Sequence, residues 1–194
     1  MIKGPRLNRR LRRRLFFAAA LSLFIATAFG CSRNHYQGNR DQPRITSDVS
    51  LQDVTFHSSA LNRDVQYRVF LPKTFPSPQN LPVIYLLHGG GGGFRDWSNY
   101  SDVAKYAKQG VLLVMPEGNS SYYTNSATVP SDRFEDYIVK DLRADVETRF
   151  SAAATRNKRA IAGVSMGGYG ALKIALRYQN LYVFAGANRA VQVS

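Results

Sequence analysis

The segment RAIAGVSMGGYGALKIALRY, Arg159 to Tyr178, constrains this chain more than any other. It opens with a short apolar strand, Ala160-Ile161-Ala162, and closes with a helical pattern from Tyr169 to Tyr178. Between them Gly163-Val164-Ser165-Met166-Gly167 fits G-x-S-x-G, a strand-to-helix turn sharp enough to push the serine hydroxyl out above a sheet. Glycine is needed at both ends because a side chain at either would crowd the neighbouring strand or helix, and Gly168 extends that freedom. A small-residue turn used only for packing is the competing reading. The apolar strand before the motif and the helical pattern after it argue against that reading.

The rest of the chain fits the same architecture. Val54-Thr55-Phe56-His57 and Val65 to Leu71 are rich in β-branched and aromatic residues, and the second alternates in period two. With Leu61-Asn62-Arg63-Asp64 between them, they predict an antiparallel hairpin at a sheet edge. Lys73 to Pro82, interrupted by Pro76, Pro78 and Pro82, reads as a loop. Val83 to Leu87 and Val111 to Met115 are continuous apolar runs, as expected of strands buried on both faces of a parallel sheet. Ser101 is placed to cap a short helix that Gly110 ends. Arg133 to Phe150 carries Phe134, Tyr137, Ile138, Leu142, Val146 and Phe150 at helical spacing, with Asp136, Lys140, Arg143 and Glu147 on other faces. Strands alternating with helices predict an α/β domain with a mostly parallel sheet and an antiparallel N-terminal hairpin.

The net charge of +13 suggests nucleic acid until its position is considered. Lys3, Arg6, Arg9, Arg10, Arg12, Arg13 and Arg14 precede every acid, and without them 19 basic residues face 13 acidic ones, leaving +6. This basic block runs into the uncharged stretch LFFAAALSLFIATAFG, Leu15 to Gly30, short for a membrane span and suited to a signal-peptide core. Residues 1–30 are therefore read as an export signal, 31–50 as a polar tether and 51–194 as the catalytic-type domain, with no nucleic-acid partner. Ala26-Thr27-Ala28 fits processing to a soluble periplasmic or secreted product. Gly30-Cys31 fits a lipoprotein box in which the Cys31 thiol anchors the protein to a membrane. Arg13-Arg14-Leu15-Phe16-Phe17 resembles a twin-arginine export signal. Cys31 is the only cysteine, so the domain has no internal disulfide.

His88 and the glycines from Gly89 to Gly93 follow the strand that ends at Leu87. Glycines there leave backbone N–H groups free to point at a developing oxyanion, beside the N–H of Met166 that follows the serine. Gly90, Gly91 and Met166 are the candidates. A flexible linker or a phosphate loop is the alternative, but no Gly-Lys-Ser/Thr follows. No cysteine and histidine cluster suggests a metal.

Strand-HGGGG, Trp97, MPEGN at Met115 to Asn119, FEDYIVKDL at Phe134 to Leu142 and AGVSMGGYGAL together resemble the esterase family that includes tributyrin and feruloyl esterases, S-formylglutathione hydrolases and secreted mycolyltransferases. The similarity runs from about Leu51 to Ala185. It implies an α/β-hydrolase fold and a serine hydrolase that forms an acyl-enzyme on Ser165, acting on a small-molecule or carbohydrate ester without a cofactor. It also implies that His88, Glu117, Tyr122 and Tyr123 border the acyl cleft, surface-loop positions being the alternative for the two tyrosines.

In this fold the triad runs Ser, then Asp or Glu, then His along the chain. None of the 29 residues after Ser165 is Asp, Glu or His. The three histidines, His35, His57 and His88, all precede the serine, and only His88 lies near the expected site. The chain therefore reads as a C-terminally truncated, N-terminal part of an esterase. Two alternatives stand beside hydrolysis: a non-catalytic remnant or binding module, and an acyltransferase to a carbohydrate acceptor.

Overall fold

The computed structural model describes residues 41–74, 80–152 and 154–188. They belong to one compact unit, Asp41–Ser194; the other unit, Met1–Arg40, holds the expected export signal, Cys31 and His35, all outside the described residues.

The sheet is built from β1 (Val49–Ser58), β2 (Arg63–Pro72), β3 (Val83–Leu87), β4 (Leu112–Pro116), β5 (Arg159–Val164) and β6 (Phe184–Asn188), in the order β1-β2-β4-β3-β5-β6. β1 and β2 form the expected antiparallel hairpin, in register from Val49 opposite Pro72 to Ser58 opposite Arg63. Its turn contains Asn62 at φ 48°, a left-handed conformation that asparagine tolerates. β2 also runs antiparallel to β4, whereas β4, β3, β5 and β6 are mutually parallel.

Alternate residues of the central strands face two separate cores. Val83, Tyr85, Leu87, Leu112 and Val114 pack with residues of the helices over 134–149 and Met166–Arg177. Leu86, Leu113 and Met115 pack with Ala104, Ala107 and Trp97 on the other face. Here α1 is Asp96–Tyr100, α2 is Ala104–Ala107 and α4 is Met166–Arg177. Helix α3 covers 134–149 and joins α-helical Phe134–Asp136, π-wound Tyr137–Leu142 and α-helical Arg143–Arg149. The burial of β3 and β4 on both faces explains their unbroken apolar sequence.

Three local expectations change. Ser101 does not begin a helix; it ends α1, its hydroxyl donating to the Trp97 carbonyl, and Gly110 at φ 89° follows α2. Asp136 is buried rather than outward, because Arg133 and Lys140 pair with it. Its neighbour Glu135 is buried too, held by Lys173 at 3.0 Å, Arg177 at 3.1 Å and the Tyr178 hydroxyl at 2.9 Å. β6 was not foreseen, since Phe-Ala-Gly-Ala-Asn lacks the β-branched signal and pairs only because β5 presents an open edge.

The fold also buries Arg68 of β2. Its guanidinium donates to Asp53 at 2.6 and 2.8 Å, to Asp41 at 2.8 and 2.6 Å, and to the Ser98 hydroxyl at 2.9 Å. The hydrogen bond from Arg68 holds the Asp41 carboxyl below its ordinary value of 3.8. A carboxyl whose folded pKa lies below its unfolded one stabilises the fold fully above the unfolded value and loses that contribution as pH falls through the folded one. Stability against urea should therefore drop below about pH 4. Arg68→Met should shrink the difference between midpoints measured at pH 7 and pH 3; an unchanged difference would remove this clamp from the account.

Candidate active site

Ser165 sits between the end of β5 and the start of α4 with φ 53° and ψ −116°, a conformation that disfavours any side chain. Its N–H donates to the Asn188 carbonyl at 2.8 Å, and its own carbonyl accepts the Tyr169 N–H at 3.0 Å. These bonds hold the elbow from β6 on one side and from the first turn of α4 on the other. The glycines matter as the spacing implied. A Cβ on Gly163 would lie 2.2 Å from the Gly167 carbonyl group, and one on Gly167 would lie 2.3 Å from the Leu87 carbonyl oxygen. The elbow is thus a place where strand, helix and the end of β3 touch through bare backbone.

Ser165 is exposed and forms part of the wall of a cavity of about 410 Å³. Gly89 and Gly90 supply one side, Asp96, Trp97 and Tyr100 of α1 with Ser101 another, and Val164 and Asn188 complete it. The glycine loop lies against the elbow: a Cβ on Gly89 would be 3.7 Å from the Ser165 Cβ, and one on Gly90 would be 3.9 Å from the Met166 Cβ. Met166 is the first residue of α4, so its N–H is among the first-turn amides that have no partner inside the helix. Gly91, at φ 74°, is not part of the cavity wall. Asp96, Tyr100, Ser101 and Asn188 were not anticipated. The only sequence signal for them was Trp97 just beyond the glycines, because which end of α1 meets the elbow depends on strand order.

His88 is buried beneath the loop, and both ring nitrogens are engaged away from Ser165. Nδ1 meets the Gly89 carbonyl at 2.7 Å; Nε2 lies 2.9 Å from the Gly118 nitrogen and 3.3 Å from Glu117 Oε1. When the ring is neutral, Gly118 N–H donates to Nε2. When it is charged, Nε2–H turns to Glu117, and the Gly118 N–H has Glu117 Oε1 at 3.0 Å as its acceptor. Burial by itself would lower the His88 pKa, but the Glu117 carboxylate and the Gly89 carbonyl outweigh it and the net shift is upward. Burial pushes Glu117 up, and hydrogen bonds from His88 and from the Asn119 and Phe94 amides bring it below its usual value. Asp96 moves the other way, burial raising it.

Tyr123 is fully buried, its hydroxyl donating to the His88 carbonyl at 3.2 Å and its ring lying against Gly118 and Gly170. Tyr122 is exposed and meets Tyr169 edge to face at 6.0 Å. Both tyrosines have positive φ, 53° and 52°, and Lys173 latches the segment by donating to the Tyr123 carbonyl and the Thr124 hydroxyl, each at 2.7 Å. His88, Glu117, Tyr122 and Tyr123 thus surround the glycine loop and the start of α4, but none is part of the wall of the cavity that holds Ser165. His57 pairs with Asp64 on the exposed hairpin, and three strands separate β1 from β5. Among the described residues no side chain hydrogen-bonds the Ser165 hydroxyl, and no group of His, Cys, Asp or Glu is arranged to hold a metal. No helix among them is long and apolar enough to cross a membrane.

A family model described as "Putative esterase" matches residues 58–191. An esterase of Mycobacterium tuberculosis is 32% identical over 176 residues, 87% of this chain and 37% of that protein. An acetyl esterase of Caldicellulosiruptor saccharolyticus is 26% identical over 144 residues, 70% of this chain and 54% of that protein. Among solved structures, the fluorophosphonate-binding serine hydrolase F of Staphylococcus aureus superposes with a TM-score of 0.65 at 27% identity, covering 71% of this chain and 55% of its own. The chain therefore spans about a third to a half of the length of these curated relatives.

Proposed function

Since the chain belongs to this esterase family of the α/β-hydrolase fold, we propose that Ser165 is the nucleophile of a carboxylic-ester hydrolase and that the 410 Å³ cavity receives the acyl group. The observation that carries the proposal is the strained elbow, which sets the Ser165 hydroxyl in the cavity wall beside the Gly89–Gly90 backbone. In the reaction Ser165 Oγ attacks the ester carbonyl carbon and its proton leaves. The oxyanion is held by the N–H of Met166 with that of Gly90. Collapse breaks the ester C–O bond, the alcohol departs with a proton, and water then releases the acid from acyl-Ser165. One relative is named an acetyl esterase, which supports the ester of a small acyl group as a substrate.

Every histidine of the sequence precedes Ser165, and His88 has both nitrogens committed elsewhere. Among the described residues no side chain hydrogen-bonds the Ser165 hydroxyl, and a serine hydroxyl without a base is a weak nucleophile. The described residues supply oxyanion binding and orientation, which contribute on the order of 10³ to 10⁴ over the uncatalysed reaction. The engagement of both His88 nitrogens away from Ser165 favours a second reading, an acyl-binding module without turnover. The export reading is retained on the basic block and apolar run of residues 1–30, with Cys31 as the lipid attachment point if the lipoprotein box is used. N-terminal sequencing and intact mass of the mature protein distinguish a start after Ala28 from a lipidated Cys31, and an uncut Met1 would overturn both.

The test is p-nitrophenyl acetate and butyrate turnover by the folded chain, with mass spectrometry for a fluorophosphonate adduct. A slow, stoichiometric adduct on the peptide that contains Ser165 is expected. Folded protein that takes up no adduct over hours would leave the binding-module reading.

A further inference from the structure

Consecutive glycines from Gly89 to Gly93 give a segment the largest backbone entropy its length allows. An amide that is to stabilise an oxyanion must nevertheless be aimed before the substrate arrives. One carboxylate touches both ends of this segment. Glu117 Oε1 lies 3.3 Å from His88 Nε2, at the residue before the glycines. Glu117 Oε2 accepts the N–H of Phe94, the residue after them, at 3.4 Å. The carboxylate is itself fixed by its own turn, Oε1 accepting the Gly118 N–H at 3.0 Å and the Asn119 N–H at 2.8 Å. The near end is held a second time by His88 Nδ1 on the Gly89 carbonyl and by the Tyr123 hydroxyl on the His88 carbonyl. Between the two ends, the Gly92 N–H donates to the Gly89 carbonyl at 3.2 Å, closing a turn.

The geometry points to Glu117 as a positioning residue: its carboxylate, joined to buried His88 and to Phe94, brackets the glycine loop and fixes the direction of the Gly90 amide beside Ser165. The inference rests on the proposed oxyanion role of that loop. It assigns Glu117 no contact with substrate, in keeping with its place outside the cavity wall. Besides His88, titratable groups that feel the carboxylate are Asp96, Tyr123 and Tyr137, of which Asp96 lies against Gly92, where a Cβ would come within 1.9 Å of its Oδ2.

Glu117→Ala removes the bracket, and Glu117→Gln keeps an acceptor for one amide set while removing the charge. Three readouts apply to both variants: hydrogen exchange of peptides spanning 88–95, the His88 imidazole titration by NMR, and the fluorophosphonate labelling rate. Loop amides should exchange about tenfold faster or more in Glu117→Ala, with β4 and α4 unchanged and Glu117→Gln intermediate. The His88 titration should move to lower pH in both variants, and labelling should slow in the same order as exchange rises. Unchanged loop exchange would overturn the inference. So would acceleration spread equally over β4 and α4 in both variants, because that is a loss of global stability. If the parent protein takes no label, the acylation reading fails alone, and exchange and titration still decide the role of Glu117.

Discussion

Ser165→Gly should produce a protein that is more stable than the parent and takes up no fluorophosphonate. The residue occupies φ 53° and ψ −116°, a region open to glycine and costly for a side chain by about 1–3 kcal/mol. Removing the side chain releases that strain, and the extra freedom of glycine in the unfolded chain returns about 0.5–1 kcal/mol of it. A net gain of about 1 kcal/mol corresponds to a rise in Tm of about 2–4 °C for a domain of this size. Ser165→Ala separates the two effects, since it keeps the Cβ and its strain but loses the hydroxyl: its Tm should match the parent while its labelling also vanishes. Equal Tm values for Ser165→Gly and the parent would limit the strain at the elbow to the amount that glycine's freedom offsets, about 0.5–1 kcal/mol. A label on either variant would mean that Ser165 is not the nucleophile.

The opposite effect is expected one turn away. Gly163→Ala and Gly167→Ala should each cost about 4 kcal/mol or more, at the extreme of what single substitutions do. The reason is that the atoms in the way belong to backbone. A methyl on Gly167 meets the Leu87 and His88 carbonyl oxygens at 2.3 and 2.6 Å, and one on Gly163 meets the Gly167 carbonyl at 2.2 Å. No rotamer change makes room, so α4 must move off the sheet. Because either substitution moves the same helix, the double variant should lose less than the sum of the two in urea denaturation. Gly90→Ala provides the contrast, since its nearest neighbour would be the Met166 Cβ at an ordinary 3.9 Å and its stability should stay near that of the parent. If Gly167→Ala were as stable as Gly90→Ala, the close strand-to-helix contact would be wrong.

The sequence alone determined the parts of this protein that depend on neighbours in the chain. The apolar runs of β3 and β4, the alternation in β2 and the glycine spacing around Ser165 each encode a local geometry, and each could be read without a fold. Contacts between distant segments were decided by the tertiary structure. Arg68 could be buried only because Asp41 and Asp53 converge on it, and Glu135 only because Lys173 and Arg177 reach it from α4. The cavity wall joins Asp96, Tyr100 and Asn188 to Ser165 through a strand order that runs out of sequence. Sequence periodicity records which face of an element is apolar but carries no information about which distant element covers it. The pairing of His88 with Glu117 beside the glycine loop is the clearest case, because the two residues approach only once β3 and β4 lie side by side.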